Sequence, residues 1–302
     1  FMPSFGILGI GGIIAFVTGS IILMDGSHSD ISIPTIGGIA LVAAGFILWT
    51  VLRLMSLRRH HPVSGREQMG FEKAEALDRF EADDSLWVGI ITGAGSDAFC
   101  AGGDISVMAA AKTNEDYQMP PSGYGGMTNR TSCNKPIIAA VNGICFGGGF
   151  EVALACDIVL ASANAIFGLP EPKIGTAAVA TGMHRLAREI GLKPAMAILL
   201  TGDTVDAERA LALGLVAEIV PEGGALTGAK KLAERILRCA PLAVQATKQC
   251  VLGGLNHAGV PAAQKAQEDG AFPALQTMME SQDIGEGLNA FLEKRRPTWK
   301  GC

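Results

Sequence analysis

VNGICFGGGFEVALACDI, Val141 to Ile158, is the stretch that decides how this chain is read. Three consecutive glycines, Gly147, Gly148 and Gly149, precede a helix-like apolar run, and Glu151 stands in that run two residues later. Glycines at a helix start let another molecule approach the backbone, and the first N–H groups of a helix have no partner within it. With the helix dipole behind them, those donors favour a negative oxygen. A second cluster, AFCAGGDI (Ala98 to Ile105), follows ITGAGS directly. Two N–H groups converging from separate loops make an oxyanion hole for an enolate or a tetrahedral intermediate. Gly-rich strand-to-helix turns are also ordinary packing devices, so neither cluster carries chemistry alone.

The carboxylates supply the missing company. Glu171 lies in FGLPEPKIG, between Pro170 and Pro172, where a rigid loop fixes its side chain. Each acid also has a plainer reading, an exposed helix face for Glu151 and a solvated loop for Glu171.

Outward from these motifs the pattern is α/β. LWVGIITG, PIIAAVNG, CDIVLAS and LVAEIV are short apolar runs of the kind that form buried parallel strands. FEKAEALDRFEADD, HRLAREIG, PAMAILLTG and DAERALALG read as helices between them, which predicts βαβ units and a mostly parallel sheet. After Pro241 the pattern is nearly all helical.

Composition separates the chain's two ends. Of 24 basic and 29 acidic side chains, only Asp25 and Asp30 fall in residues 1–52. Gly6 to Met24 and Ile33 to Leu52 are uncharged enough and long enough to cross a bilayer as helices, joined by the acidic turn MDGSHSD. Arg53, Arg58 and Arg59 follow the second run, so what lies beyond residue 60 is expected in the cytosol. Gly11, Ala15 and Gly19 are spaced for close helix approach in lipid. A net charge of −5 leaves no basic excess for nucleic-acid phosphates. Seven Cys without C-x-x-C or His spacing point to reduced structural thiols and to no metal site. The expected organisation is a membrane hairpin and linker over 1–70, an α/β core over 71–240 and a helical region over 241–302.

Two family resemblances follow from these residues. FMPSFGILGIGGIIAFVTGSIILMD, IALVAAGFILWTVLRL and PVSGREQMG resemble the membrane part of NfeD-family proteins. In that family the spans lead into a small β-barrel, and none follows Gly70 here. From about Glu72 to Gly301 the chain resembles the crotonase, or enoyl-CoA hydratase/isomerase, superfamily. The motifs are DRFEADDSLWVGIITG, AFCAGGDI, IIAAVNGICFGGGFEVALACDI, FGLPEPKIG, LTGDTVDAERALALGLVAEIVP and EGLNAFLEKRRPTWKG.

The second resemblance implies a spiral of ββα turns with C-terminal helices that mediate a homotrimer or a dimer of trimers. It implies that Gly103 and Gly148 donate to the thioester carbonyl of an acyl-CoA, and that Glu151 and Glu171 hold a water and move its proton. Ala101, Gly102, Asp104, Gly147, Phe291 and Lys294 match substrate-binding positions. No cofactor is implied, because the coenzyme A thioester is itself substrate. Isomerase and decarboxylase relatives often lack one of the two acids, so keeping both favours a hydratase. An isomerase or a carnitinyl-CoA-type dehydratase remains the alternative. His184 reads as a helix-surface residue and Cys100 as a small buried thiol.

Departures from both families set further expectations. The two strands and half helix that open crotonase-like chains are missing, with the hairpin in their place, which predicts an open sheet edge and weak folding or activity. GTAAVATG follows Glu171 where relatives carry Pro and a Gly pair, which bears on acyl-chain preference. The Phe1 start points to a fragment, and the join near Gly70 fits either a natural anchored enzyme or a non-catalytic fusion of two gene fragments. A membrane-bound ClpP-class protease is set aside, because Phe150 and Glu151 occupy the place of its serine.

Overall fold

The structure, a computed structural model, describes residues 67–110 and 119–302. The two expected membrane spans lie outside the described residues. Among the described residues no helix is long and apolar enough to cross a membrane.

The chain enters through helix α1 (Glu67–Ala82) and then alternates between two sheets. Strands β1 (Gly89–Thr92), β3 (Ile137–Val141), β5 (Ile158–Ser162) and β8 (Glu218–Val220) form one parallel sheet in the order β1-β3-β5-β8. Strands β2 (Ala98–Cys100), β4 (Ile144–Phe146), β6 (Ile166–Gly168) and β7 (Thr204–Asp206) form the second, in which only the β6–β7 pair is antiparallel. The sequence pattern predicts a single sheet. The strands of the second are three residues long, too short to show a period of two, and so they read as loop.

Each long strand turns a corner into a short one, and asparagine side chains hold those corners. Asn142 Nδ2 donates to Gly95 O (2.8 Å) and Ala98 O (3.2 Å), while its Oδ1 accepts from Gly93 N (3.1 Å). It thereby stitches the β1–β2 corner to the β3–β4 corner. Gly143 must be glycine, since a Cβ there would lie 2.3 Å from Asp97 O.

β3 is buried throughout and its side chains alternate between two cores. Ile138 and Ala140 pack with Leu160, Val220, Ala225 and Ala229, under helix α7 (Ala225–Ile236). Ile137, Ala139 and Val141 face the larger core, which includes Phe150 and Phe167. Helix α2 (Ile105–Ala110) follows the first glycine cluster and α3 (Gly148–Ala155) follows the second. Helices α4 (Gly182–Ile190), α5 (Leu192–Thr201) and α6 (Ala207–Ala212) connect β6 and β7 to β8. Beyond α7, α8 (Pro241–Gly254), α9 (Val260–Glu268), α10 (Pro273–Met279) and α11 (Gln282–Leu292) make the helical end. They belong to the same compact unit as the sheets, Val63–Cys302.

Among the described residues β1 pairs with β3 alone, and its Ile90 and Ile91 are half-buried. Two buried cations anchor α1 beside it. Lys135 Nζ donates to Phe80 O (2.9 Å) and Asp83 O (2.7 Å), satisfying carbonyls at the helix end. Arg130, with its side chain 4% exposed, pairs with Asp78 (2.6 Å) and Glu81 (2.9 Å) and donates to Ala74 O (3.2 Å). Its Nε donates to Gly126 O (2.9 Å), in the helical turn Tyr124–Gly126. That turn sits against α1 so closely that a Cβ on Gly126 would lie 2.5 Å from Ala74 Cα.

Gly126 also has φ +71°, so Gly126→Ala meets backbone on one side and a left-handed conformation on the other. We expect it to lower stability by about 2 kcal/mol or more. Urea unfolding followed by tryptophan fluorescence checks this; an unchanged midpoint would contradict the packing described.

Candidate active site

The two glycine clusters meet. Leaving β2, the chain passes Cys100 and Gly102 directly against the start of α3. A Cβ on Gly149 would lie 2.2 Å from Cys100 O, and one on Gly102 would lie 3.2 Å from Phe146 O and 3.6 Å from Gly148 N. Gly102 (φ +97°) and Gly147 (φ +53°, ψ −130°) take backbone conformations that L side chains rarely adopt. Gly148 opens α3, so its N–H has no carbonyl four residues back within the helix. Gly103 follows Gly102 in the facing loop, and Ala101 is exposed at its rim. Asp104 Oδ1 accepts from the Ser106 N–H (2.8 Å) and hydroxyl (2.5 Å), which makes this acid the cap of α2.

Glu151 lies one turn into α3 and is 3% exposed. Its Oε1 accepts from Gly182 N at 2.8 Å, and Gly182 is packed so tightly that a Cβ there would lie 2.9 Å from that oxygen. Burial pushes the Glu151 carboxyl up to about 7; the Glu171 charge adds to the rise, while backbone donors from Gly182 and Ala180 oppose it. Glu171 opens the helical turn Glu171–Ile174. A Cβ on Gly147 would lie 3.3 Å from its Oε1, which places this carboxyl beside the triple glycine. Its Oε2 is buried without a hydrogen-bond partner among the described residues. Desolvation raises the Glu171 carboxyl as well.

Thus Gly102, Gly147, Gly148, Glu151 and Glu171 come together. Phe291 does not join them: it lies on α11, 82% exposed, and Lys294 follows that helix with φ +54°. His184 is exposed on α4, and all seven cysteines are unpaired, with Cys100 half-buried rather than buried.

Sequence reasoning missed Tyr124. A Cβ on Gly148 would lie 2.5 Å from Tyr124 Cε1 and 2.6 Å from its Cζ, so this ring lies on the glycine that opens α3. Gly125 in the same turn (φ +60°) approaches Val152, next to Glu151. The signal available was GYGG, a tyrosine among glycines in a stretch without strand or helix period.

Residues 52–302 match the family model for enoyl-CoA hydratase/isomerase, and residues 1–53 match that for the NfeD integral membrane domain. A carnitinyl-CoA dehydratase from Proteus mirabilis is 38% identical over 230 residues, covering 76% of this chain and 87% of that protein. The Escherichia coli carnitinyl-CoA dehydratase is 37% identical over 231 residues, covering 76% and 88%. Among solved structures, an enoyl-CoA hydratase from Mycobacterium marinum superposes with a TM-score of 0.71 at 39% identity, over 79% of this chain and 90% of that one. An enoyl-CoA hydratase from Bacillus anthracis gives 0.72 at 32% identity, over 79% and 91%.

The buried Glu151 carboxyl has a consequence for stability. Its folded value, about 7, lies above its ordinary 4.5, so the unfolded chain ionises first as pH rises. Stability therefore falls between about pH 4.5 and 7, and the loss is complete above that window. Glu151→Gln keeps an acceptor for Gly182 N and removes this cost. We expect the variant to be more stable than the parent by about 1–3 kcal/mol at pH 8 and by little at pH 4.5. Thermal melts across that range check the sign; a difference independent of pH would contradict the burial of an ionisable Glu151.

Proposed function

The chain belongs to the enoyl-CoA hydratase/isomerase family, and from that membership we propose that it is a lyase that adds water to a trans-2-enoyl-CoA thioester. The convergence of two desolvated carboxyls on the opening turn of α3 carries this reading. Hydration puts the water oxygen on the β-carbon and a proton on the α-carbon, and negative charge builds on the thioester oxygen between the two steps. In this reading the Gly148 and Gly103 N–H groups receive that oxygen, with the α3 dipole behind Gly148. Glu151 and Glu171 share the water and its proton. A carboxyl whose proton is held up to about 7 exchanges it readily near neutrality. Glu171 Oε2, buried and without a donor among the described residues, is the acceptor that the water would satisfy.

Dehydration of a carnitinyl-CoA-type β-hydroxyacyl thioester is the second reading. It is the reverse of the same chemistry, and the names of the Proteus and Escherichia relatives favour it. Through residues 6–52 the enzyme would be held at a membrane, an association supported by the NfeD match, with Arg53, Arg58 and Arg59 favouring the cytoplasmic face. Exposed apolar side chains on α11, Leu288, Phe291 and Leu292, support assembly with further copies as a homotrimer.

Assay of the full chain against crotonyl-CoA and carnitinyl-CoA separates the two reactions. Glu151→Gln and Glu171→Gln are each expected to lower kcat by about 10²–10⁴-fold on whichever substrate turns over. Undiminished turnover in both variants, or none in the parent protein, defeats the proposal.

A further inference from the structure

Thr181 has φ +83°, an outlying conformation for a β-branched residue, and immediately precedes α4. This turn aims the next N–H, that of Gly182, at Glu151 Oε1. Arg185, one turn into α4, touches both sides of the arrangement. Its Nε donates to Thr181 Oγ1 (3.1 Å), and its Nη2 donates to Thr128 O (3.2 Å). Thr128 is 1% exposed, and its Oγ1 accepts from Tyr124 N (2.9 Å), in the turn whose ring lies on Gly148. One guanidinium therefore joins the loop that donates to Glu151 and the turn that covers the oxyanion glycine.

We propose that Arg185 is a positioning residue, which holds Thr181 in its left-handed turn so that the Gly182 N–H stays on Glu151, and which ties that loop to the Tyr124 turn. The proposal rests on the role given to Glu151 above. Around the opening turn of α3, the Tyr124 ring lies on Gly148, Cys100 of β2 packs on Gly149 and the Glu171 carboxyl lies beside Gly147. Of these, Glu171 is the one whose charge raises the Glu151 carboxyl. Arg185 also lies one turn from Glu189, which is exposed on the same helix. Its influence on Glu151 runs through the hydrogen bond of Gly182, which favours the ionised carboxylate.

Two variants separate positioning from charge. Arg185→Gln removes the fork, whereas Thr181→Ala removes the hydroxyl acceptor and leaves the Arg185 charge in place. Both are expected to raise the acid limb of kcat/KM for enoyl-CoA hydration by about one pH unit, because Glu151 loses a donor that favours its ionised form. Infrared titration of the same carboxyl, assigned by its disappearance in Glu151→Gln, is expected to move equally and needs no turnover. If the parent protein turns over no acyl-CoA, the proposed function fails while the infrared titration still decides the role of Arg185. Should Arg185→Gln fail to fold, Thr181→Ala alone is read in the same way. A titration that stays in place in folded Thr181→Ala overturns the proposal, even where Arg185→Gln shifts it, because Arg185 would then act through its charge.

Discussion

Everything at the candidate site depends on how closely the backbone of Cys100–Gly103 approaches the backbone of Gly147–Gly149. A single methyl group at Gly149 would overlap Cys100 O, and one at Gly148 would overlap the Tyr124 ring. The approach brings the two glycine loops into one small volume. It also explains the tight corners upstream, since β2 and β4 must run side by side for the loops after them to meet. Asn142 secures that alignment by serving three backbone groups on the neighbouring corner, so a polar side chain in the middle of the fold acts as a register pin.

The same approach accounts for the electrostatics. A helix that begins in glycines carries few side chains around its first turn, and the space is taken by the carboxyls of Glu151 and Glu171 and by an aromatic ring. Little water reaches Glu151, which is why its proton is held toward neutrality although backbone donors pull the other way. A site for charge that appears only during reaction is best kept in such surroundings, because donors fixed in advance need not reorganise.

Much of this was legible in the sequence. Apolar runs marked β1, β3, β5 and β8; β3 and most of β5 are buried on both faces and so must be apolar along their length. The triple glycine and the two glutamates stood out in combination, since each alone has a plainer reading as a packing turn, an exposed helix face or a solvated loop acid. What escaped reading depends on contacts distant in sequence. The three-residue strands of the second sheet have no period to detect. Tyr124 acquires its meaning only from Gly148, and Arg185 only from Thr128 and Thr181, partners that no spacing rule links. Asp104 was read as part of a binding loop, and its cap on α2 depends on local geometry that residue type alone leaves open.

Helix α1 is the described element nearest to residues 1–66, and its attachment is unusual for a surface helix. Two buried cations hold it, Arg130 along its side and Lys135 at its end, together with the apolar side chains of Ala74, Leu77 and Phe80. Arg130 also donates to Gly126 O, two residues from Tyr124, whose ring lies on Gly148, so one guanidinium serves both the seat of α1 and the turn over the candidate site.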